Sequence, residues 1–387
     1  MLAYNKTALY NLFVRNQTSE AYEKGAVTQE EYAAVFLKYP SQLYTPNFFI
    51  GIALFLLTLI IVIFSIGILA LMLLGNGSDS MITGLAIFFS AICFIGLEVF
   101  IKQRNHYHSG VDTALLCGAV ILLISGIEYA TKAAGLQLSI IIFIISLACT
   151  IRYGFSFMGV ISFLSFLSIF FFLLSDLGIG ARAIIPFVLM AISLFFYFLL
   201  KTNKNKDQLA GYTDSINILE ITSLITLYAA GNFYIVKQMG DIMFSQPDSA
   251  SSTIPFAFLF WIFTIVIPLV YLFFGIKNKD AILLRVGLLL IAAIIFTIRY
   301  YHTLMPVEAA MTLGGIIMVL VAWAITRYLH VPKNGFTSVE TDKKTAPGKA
   351  QIEALLLAQT FSQTHVQNSD TKFGGGDFGG GGASGDF

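Results

Sequence analysis

Ten long apolar stretches recur along this chain of 387 residues, and they constrain its fold more than any other feature. A helix needs about 20 mostly apolar residues to cross the hydrocarbon core of a bilayer, because each residue advances it by only about 1.5 Å. We therefore predict an all-α, polytopic integral membrane bundle of about ten transmembrane helices. The predicted spans are 48–74, 82–101, 111–130, 135–151, 155–175, 182–200, 212–236, 254–275, 281–300 and 306–328.

The composition is that of a chain whose surface faces lipid. Apolar side chains make up 57% of it and charged ones 12%, whereas soluble domains carry roughly 25% charged residues. The 23 basic and 22 acidic residues nearly cancel, so the chain lacks the positive field of a nucleic-acid-binding protein. We expect the lipid bilayer, and no nucleic acid, as its partner.

Lysine and arginine are distributed unevenly between the two sides of the predicted bundle. Eighteen of them lie in the two terminal segments and in the loops on the same side, four lie on the opposite side, and Arg285 lies within a span. Basic residues are enriched in cytoplasmic loops. We therefore predict that both termini are cytoplasmic.

Residues 1–47 precede the first span and have the pattern of a helical hairpin. One helix is predicted from about Lys6 to Lys24, and Gly25 follows it as a left-handed C-terminal cap. Thr28 then begins a second helix, with Glu31 at the spacing of a capping box. This hairpin either packs on the ends of the membrane helices or docks a partner.

The segment YEKGAVTQEEYAAVFLKYP, followed at once by many spans, resembles a bacterial membrane family of unknown function. Members share a short hairpin with a Gly-x-(Ile/Val)-(Ser/Thr)-x-Glu-(Glu/Gln) turn. The matching positions in this chain are Gly25, Val27, Thr28, Glu30 and Glu31. The resemblance implies a multi-pass protein of the bacterial inner membrane, and it carries no catalytic residues.

The chain after the last span divides into two predicted parts. Residues 331–372 are expected to be a cytoplasmic linker with one short helix. Residues 373–387 contain eight glycines, a density that cannot form a packed core, and they are similar to the glycine-rich ends of TPM-domain membrane proteins. Three phenylalanines are spaced along this tail: Phe373, Phe378 and Phe387. They either bind a protein partner or have no specific binding partner.

The predicted seventh span carries the most polar side chains. Asp214, Asn217 and Glu220 lie three residues apart, which keeps them within about 120° of the helix circumference. An ionisable side chain inside a span is costly, so it is a candidate functional group. An unpaired carboxylate at the depth of Glu220 is expected to be protonated, whereas pairing with Arg285 of the ninth span would keep both groups charged. This stripe is either a substrate or ion path or a set of structural hydrogen bonds between helices.

Motifs for enzymatic chemistry are absent from the sequence. It contains no His-Glu-x-x-His pattern, no P-loop and no dinucleotide-binding glycine motif. His106 and His108 are two residues apart, which is weak evidence for a metal site, and a solvated loop is the simpler interpretation. We predict no enzyme activity, no cofactor and no metal site.

Two functional hypotheses from different classes follow. The first is a transporter- or channel-like protein whose polar path uses Glu220, Asn217, Asp214 and Arg285. The second is a scaffold or sensor that acts through the hairpin and the glycine-rich tail. The sequence identifies neither a substrate nor an oligomeric state.

Overall fold

The computed structural model describes residues 3–23, 25–73, 79–175, 181–204, 211–244, 255–278, 280–301 and 307–328. Within these ranges all regular structure is helical and no β-strand is present. Phe373, Phe378 and Phe387 lie outside the described residues. The helices are α1 (Lys6–Glu23), α2 (Gln29–Lys38), α3 (Phe48–Leu73), α4 (Asp79–Arg104), α5 (Val111–Thr131), α6 (Leu136–Tyr153), α7 (Ser156–Ser175), α8 (Ala181–Asn203), α9 (Thr213–Gly231), α10 (Phe233–Phe244), α11 (Ala257–Asn278), α12 (Ala281–Tyr301) and α13 (Val307–Tyr328).

Eight of the described helices, α3 to α8, α11 and α12, are long and apolar enough to cross a membrane. The prediction of an all-α polytopic membrane bundle is therefore confirmed. One span differs from its prediction: residues 212–236 do not form one helix, because the chain breaks at Asn232 and bends by 70° between α9 and α10. The tenth predicted span corresponds to α13, of which Thr312–Tyr328 is a shorter apolar helix.

Contacts between helix ends show which ends share a side of the bundle. Tyr4, before α1, packs on Tyr107 in the loop after α4. His108 of the same loop packs on Phe155 in the turn after α6. Lys201, near the end of α8, pairs with Asp280 before α12. We call this the hairpin side, which contains α1, α2 and the C-terminal ends of α4, α6, α8 and α11. The opposite one is the far side.

Two apolar clusters form the interior of the bundle. The first cluster contains residues of α4, α5, α6 and α7 and is centred on Leu97, Leu116 and Met158. The second joins α8, α9, α11 and α12 around Leu224 and Leu290. Helix α7 contacts both α8 and α9 and links the two clusters.

The N-terminal hairpin has the predicted caps. Gly25 adopts a left-handed conformation with φ of 69°, and Thr28 and Glu31 form a capping box at the start of α2. Tyr32 packs between Tyr22 and Phe36, with ring centroids 4.8 Å and 4.3 Å away. These rings hold α1 against α2.

Gly110 allows the loop after α4 to pass close to α3. Its φ is +92°, and a Cβ at this position would overlap the carbonyl oxygen of Gly51 on α3. Only glycine satisfies both conditions. The start of α5 is thereby held against the backbone of α3.

Gly110→Ala is expected to lower the melting temperature of the detergent-purified protein. Backbone strain alone costs about 1–3 kcal/mol, and the overlap with Gly51 adds to it. Gly67→Ala is the matched control, since a Cβ there meets no atom within 4 Å. Equal melting temperatures for the two variants would contradict this account of the α3–α5 contact.

Candidate functional site

Glu220 lies on the buried face of α9, and 1% of its surface is exposed. It follows the start of the helix by seven residues, which places it about 10 Å along the helix axis from the hairpin side. Its Oε2 atom lies 3.1 Å from Nζ of Lys204, which directly follows α8. The carboxylate is therefore paired with a lysine that reaches down from the hairpin side.

The pairing of Glu220 with Arg285 is not formed among the described residues. Arg285 lies on α12 with an exposed side chain. The buried face of that helix is formed by Leu283, Val286, Gly287 and Leu290, and the 100° step between residues places position 285 on the opposite face. Lys204 was missed because it lies beyond the apolar stretch, where a lysine normally extends to water.

Asn217 and Asp214 do not join Glu220 in one continuous site. The side chain of Asn217 is half-buried, and its Oδ1 atom is buried without a hydrogen-bond partner among the described residues. Asp214 is exposed at the hairpin side. Burial, and after it the negative charges of Asp214 and Asp112, raise the pKa of Tyr107 to about 12. The charge of Asp214 thus acts on the loop after α4, whereas Glu220 lies in the interior of the bundle.

A second ion pair lies beside the first on the hairpin side. Nζ of Lys201 lies 2.8 Å from Oδ2 of Asp280 and donates a second hydrogen bond to the hydroxyl of Tyr197. Burial opposes ionisation of Asp280, but the bonds from Lys201 and from the amides of Leu283 and Ile282 outweigh it and hold its pKa below the usual range. Two lysines and two carboxylates therefore connect α8 with α9 and α12.

The break between α9 and α10 forms a second polar layer, closer to the far side. Asn232 is buried, and its side-chain amide donates to the hydroxyls of Tyr228 and Thr297 at 2.9 and 3.0 Å. Its Oδ1 atom accepts from the amide of Ile235 at 3.2 Å. The amide of Phe233 donates to Oγ1 of Thr264 at 3.0 Å. Side chains thus satisfy backbone groups that the break removes from the helix.

The sequence signal for this break is the Gly231-Asn232 pair. Glycine and asparagine are the residues that most often end helices. The apolar residues on both sides of the pair made the segment resemble one span, so the break was not predicted.

The space between the two polar layers contains mainly apolar side chains. Leu224 and Leu227 are buried on α9, and the hydroxyl of Tyr271 on α11 donates to the carbonyl of Leu224 at 3.0 Å. Thr226, on another face of α9, donates to Ser193 of α8 at 3.1 Å. The interior therefore holds two polar layers, and the residues between them are mainly apolar but include the buried side chains of Ser193 and Ser223.

The loop that carries His106 and His108 is packed only in part, since Ser109 is buried, His106 is half-buried and His108 is exposed. Nδ1 of His106 lies 2.7 Å from Oγ of Ser109, and Ser109 donates through both its amide and its hydroxyl to Asp112. Asp112 is fully buried at the start of α5. In the part of the chain that the structure describes, no group of His, Cys, Asp and Glu side chains has the geometry to hold a metal ion.

Comparisons with known proteins identify no relative. No protein-family model matches the sequence, and no curated protein and no solved structure has significant similarity to it. The resemblance of the hairpin to a bacterial membrane family stays a prediction. What the fold establishes is a multi-pass membrane protein with buried charges and a broken helix.

Asn232→Ala is expected to destabilise the protein, because it leaves the amide of Ile235 and the hydroxyls of Tyr228 and Thr297 without this partner. Each buried group that loses its hydrogen bond costs about 1–3 kcal/mol. Asn203→Ala is the matched control, since that amide bonds to Leu199 of its own helix near the hairpin side. Thermal unfolding in detergent measures both, and a melting temperature of Asn232→Ala at or above that of Asn203→Ala would be the contrary result.

Proposed function

We propose that this protein is transporter- or channel-like and that Glu220 is the ion-binding carboxylate of its pathway. The observation that supports this most is a carboxylate with 1% of its surface exposed inside a bundle of membrane-spanning helices. Ionisable groups at such depth are rare, and they typically mark substrate or ion pathways.

Stability alone does not account for this ion pair. Removing two charges from water costs several kcal/mol per ion, and well-packed apolar residues often serve as well or better in the same place. An apolar side chain at position 220 would fit among the apolar residues that surround it on α9. Glu220 bears this cost, since 2% of its side chain is exposed, whereas the side chain of Lys204 is 32% exposed. The buried carboxylate at this position therefore favours a functional role over a purely structural one.

The broken helix gives independent support. Discontinuous helices occur in transporters where non-helical backbone faces a cavity or a binding site. In this chain the break at Asn232 lies 12 residues beyond Glu220 on the same element, which corresponds to about 18 Å. The two polar layers therefore lie near the two ends of one pathway.

The geometry suggests how the pathway operates. The ammonium group of Lys204 binds the carboxylate of Glu220 from the hairpin side. The Lys201–Asp280 pair lies beside it. A proton or a small cation that binds Glu220 displaces the ammonium group of Lys204. Movement of α9 against α11 then separates Leu224 from Tyr271 and joins the two polar layers. Lys204 acts as a tethered competitor that returns when the ion leaves.

We further propose that the protein lies in the inner membrane of a bacterium, with the hairpin side in the cytoplasm. The uneven distribution of Lys and Arg supports the orientation, and the resemblance of the hairpin supports the bacterial membrane. The alternative of a scaffold or sensor acts through the hairpin and the tail, and the tail's partner stays a prediction.

Ion flux in liposomes tests the pathway. Full-length protein is reconstituted in vesicles that contain a dye sensitive to H⁺, Na⁺ or K⁺, and a gradient of the matching ion is imposed in turn. We expect the wild type to change the internal pH or cation content faster than protein-free vesicles do. Glu220→Gln should reduce this rate at least about tenfold, equivalent to about 1.4 kcal/mol in the barrier.

Glu128→Gln is the matched control, because it removes the same charge from an exposed position near the far-side end of α5. It should transport at the rate of the wild type. A wild type that moves none of the three ions, or a Glu220→Gln variant with full activity, would reject the pathway and favour the scaffold alternative.

Cysteine labelling tests the orientation. Gln103→Cys lies at the hairpin-side end of α4, and Ala134→Cys lies in the far-side turn between α5 and α6. In intact cells a membrane-impermeant maleimide should label position 134 above the background of the three native cysteines. It should leave position 103 unmodified. The reverse pattern would place the hairpin outside the cell.

A further inference from the structure

A cavity lies between the N-terminal hairpin and the membrane helices, and Glu220 is not among its lining residues. Its volume is about 770 Å³, within the range of roughly 300–1,000 Å³ that is typical of small-molecule sites. Its walls come from α1, α2, residues 41–45, and the hairpin-side ends of α3 and α4. The cavity is therefore formed only when the hairpin is docked on the bundle.

The charged side chains that line the cavity are mainly basic. Arg15 and Arg104 carry guanidinium groups, and Glu23 is the acidic residue of the lining. Burial lowers the pKa of His106, so its ring adds no charge near neutral pH. Within the described ranges neither guanidinium forms an ion pair. An arginine is always charged and presents a planar set of donors that matches a phosphate or a carboxylate. The cavity is thus suited to an anion.

The remaining walls are aromatic and apolar. Tyr22, Tyr32 and Phe36 form a continuous row of rings along the hairpin, and the guanidinium of Arg15 lies 4.1 Å from the centre of the Phe36 ring. Leu43 and Leu54 line the opposite wall. A ligand that fits both kinds of wall has an anionic group and a planar or apolar part.

Several hydrogen bonds hold the cavity in shape. The side-chain amide of Asn11 donates to the carbonyl of Pro40 at 2.8 Å. The amide of Tyr44 donates to the carbonyl of Asn105 at 2.8 Å, and the amide of Tyr107 donates to the carbonyl of Tyr44 at 3.1 Å. The segment that leads into α3 is therefore fixed to the loop after α4. This preformed geometry lowers the ordering cost of binding.

The cavity is also connected to the interior of the bundle. His106 lines it, and Ser109 links the ring of His106 to the buried carboxylate of Asp112 at the start of α5. The cavity is therefore linked to the start of α5 by hydrogen bonds.

We propose that this cavity is a binding site for an organic phosphate, with the phosphate group on Arg15 and Arg104 and the planar or apolar part on Tyr22, Tyr32 and Phe36. The ligand is either a soluble nucleotide or the headgroup of an anionic phospholipid, since both present a phosphate with an attached organic part. The proposal does not depend on ion transport through Glu220.

Binding is tested with full-length protein in nanodiscs of phosphatidylcholine. AMP and inorganic phosphate are titrated by calorimetry, and thermal unfolding is compared with nanodiscs that also contain phosphatidylglycerol. We expect either saturable binding of AMP, tighter than that of phosphate, or a higher melting temperature with phosphatidylglycerol. The first result identifies a soluble ligand and the second a lipid. In either case Arg104→Gln should weaken the effect at least about tenfold.

Lys38→Gln is the matched control, because it removes one positive charge from the hairpin at a position outside the lining. It should keep the affinity of the wild type. Arg104 is exposed at the end of α4, so its substitution should leave folding intact, and an unchanged melting temperature without ligand checks this. The proposal is overturned if none of the three probes has an effect, or if Arg104→Gln and Lys38→Gln respond alike.

Discussion

The absence of water in the hydrocarbon core of a bilayer is the constraint on which the rest of this structure depends. Every polar group placed there must find its partner inside the protein, because an unsatisfied group costs several kcal/mol. The regular helices satisfy their own backbones. Elsewhere side chains supply the partners: Lys204 holds Glu220, and at the break at Asn232 side chains bond to the freed amides. Both features lie on the segment that we propose to be functional, where Oδ1 of Asn217 is buried without a partner among the described residues.

Helix packing in this environment depends on close approach, because lipid offers no hydrophobic drive for helices to associate. Gly275 of α11 lies against Leu284, and Gly287 of α12 lies against Leu272. A Cβ at either glycine would come within 3.0 Å of the facing leucine. This reciprocal fit fixes α11 against α12 and holds Asp280 near Lys201. The close packing of α11 on α12 thus helps to position the Lys201–Asp280 pair.

The length of the apolar stretches predicted most of the fold, because the ability of a segment to cross a membrane depends on its local sequence. The hairpin with its capping box was predicted for the same reason, since Thr28 and Glu31 are three residues apart. The break at Asn232 was missed because the apolar residues on both sides of it continue the pattern of a span.

The candidate site was predicted only in part, because its partners come from distant segments. Glu220 was identified from its position within a span. Its partner Lys204 depends on how α8 packs against α9, which the sequence does not show. The cavity of Arg15 and Arg104 likewise requires the docked position of the hairpin. No pattern in the sequence placed those two arginines together.

A double-mutant cycle between Lys204 and Glu220 tests the central claim most directly. The free energy of unfolding in a lipid environment is measured for Lys204→Gln, Glu220→Gln and the double variant. If the two side chains form the ion pair described, the effects are not additive, and the coupling energy is about 1 kcal/mol or more. If the effects of the two substitutions simply add, the two side chains do not interact, and the account of a carboxylate held by a tethered lysine is wrong.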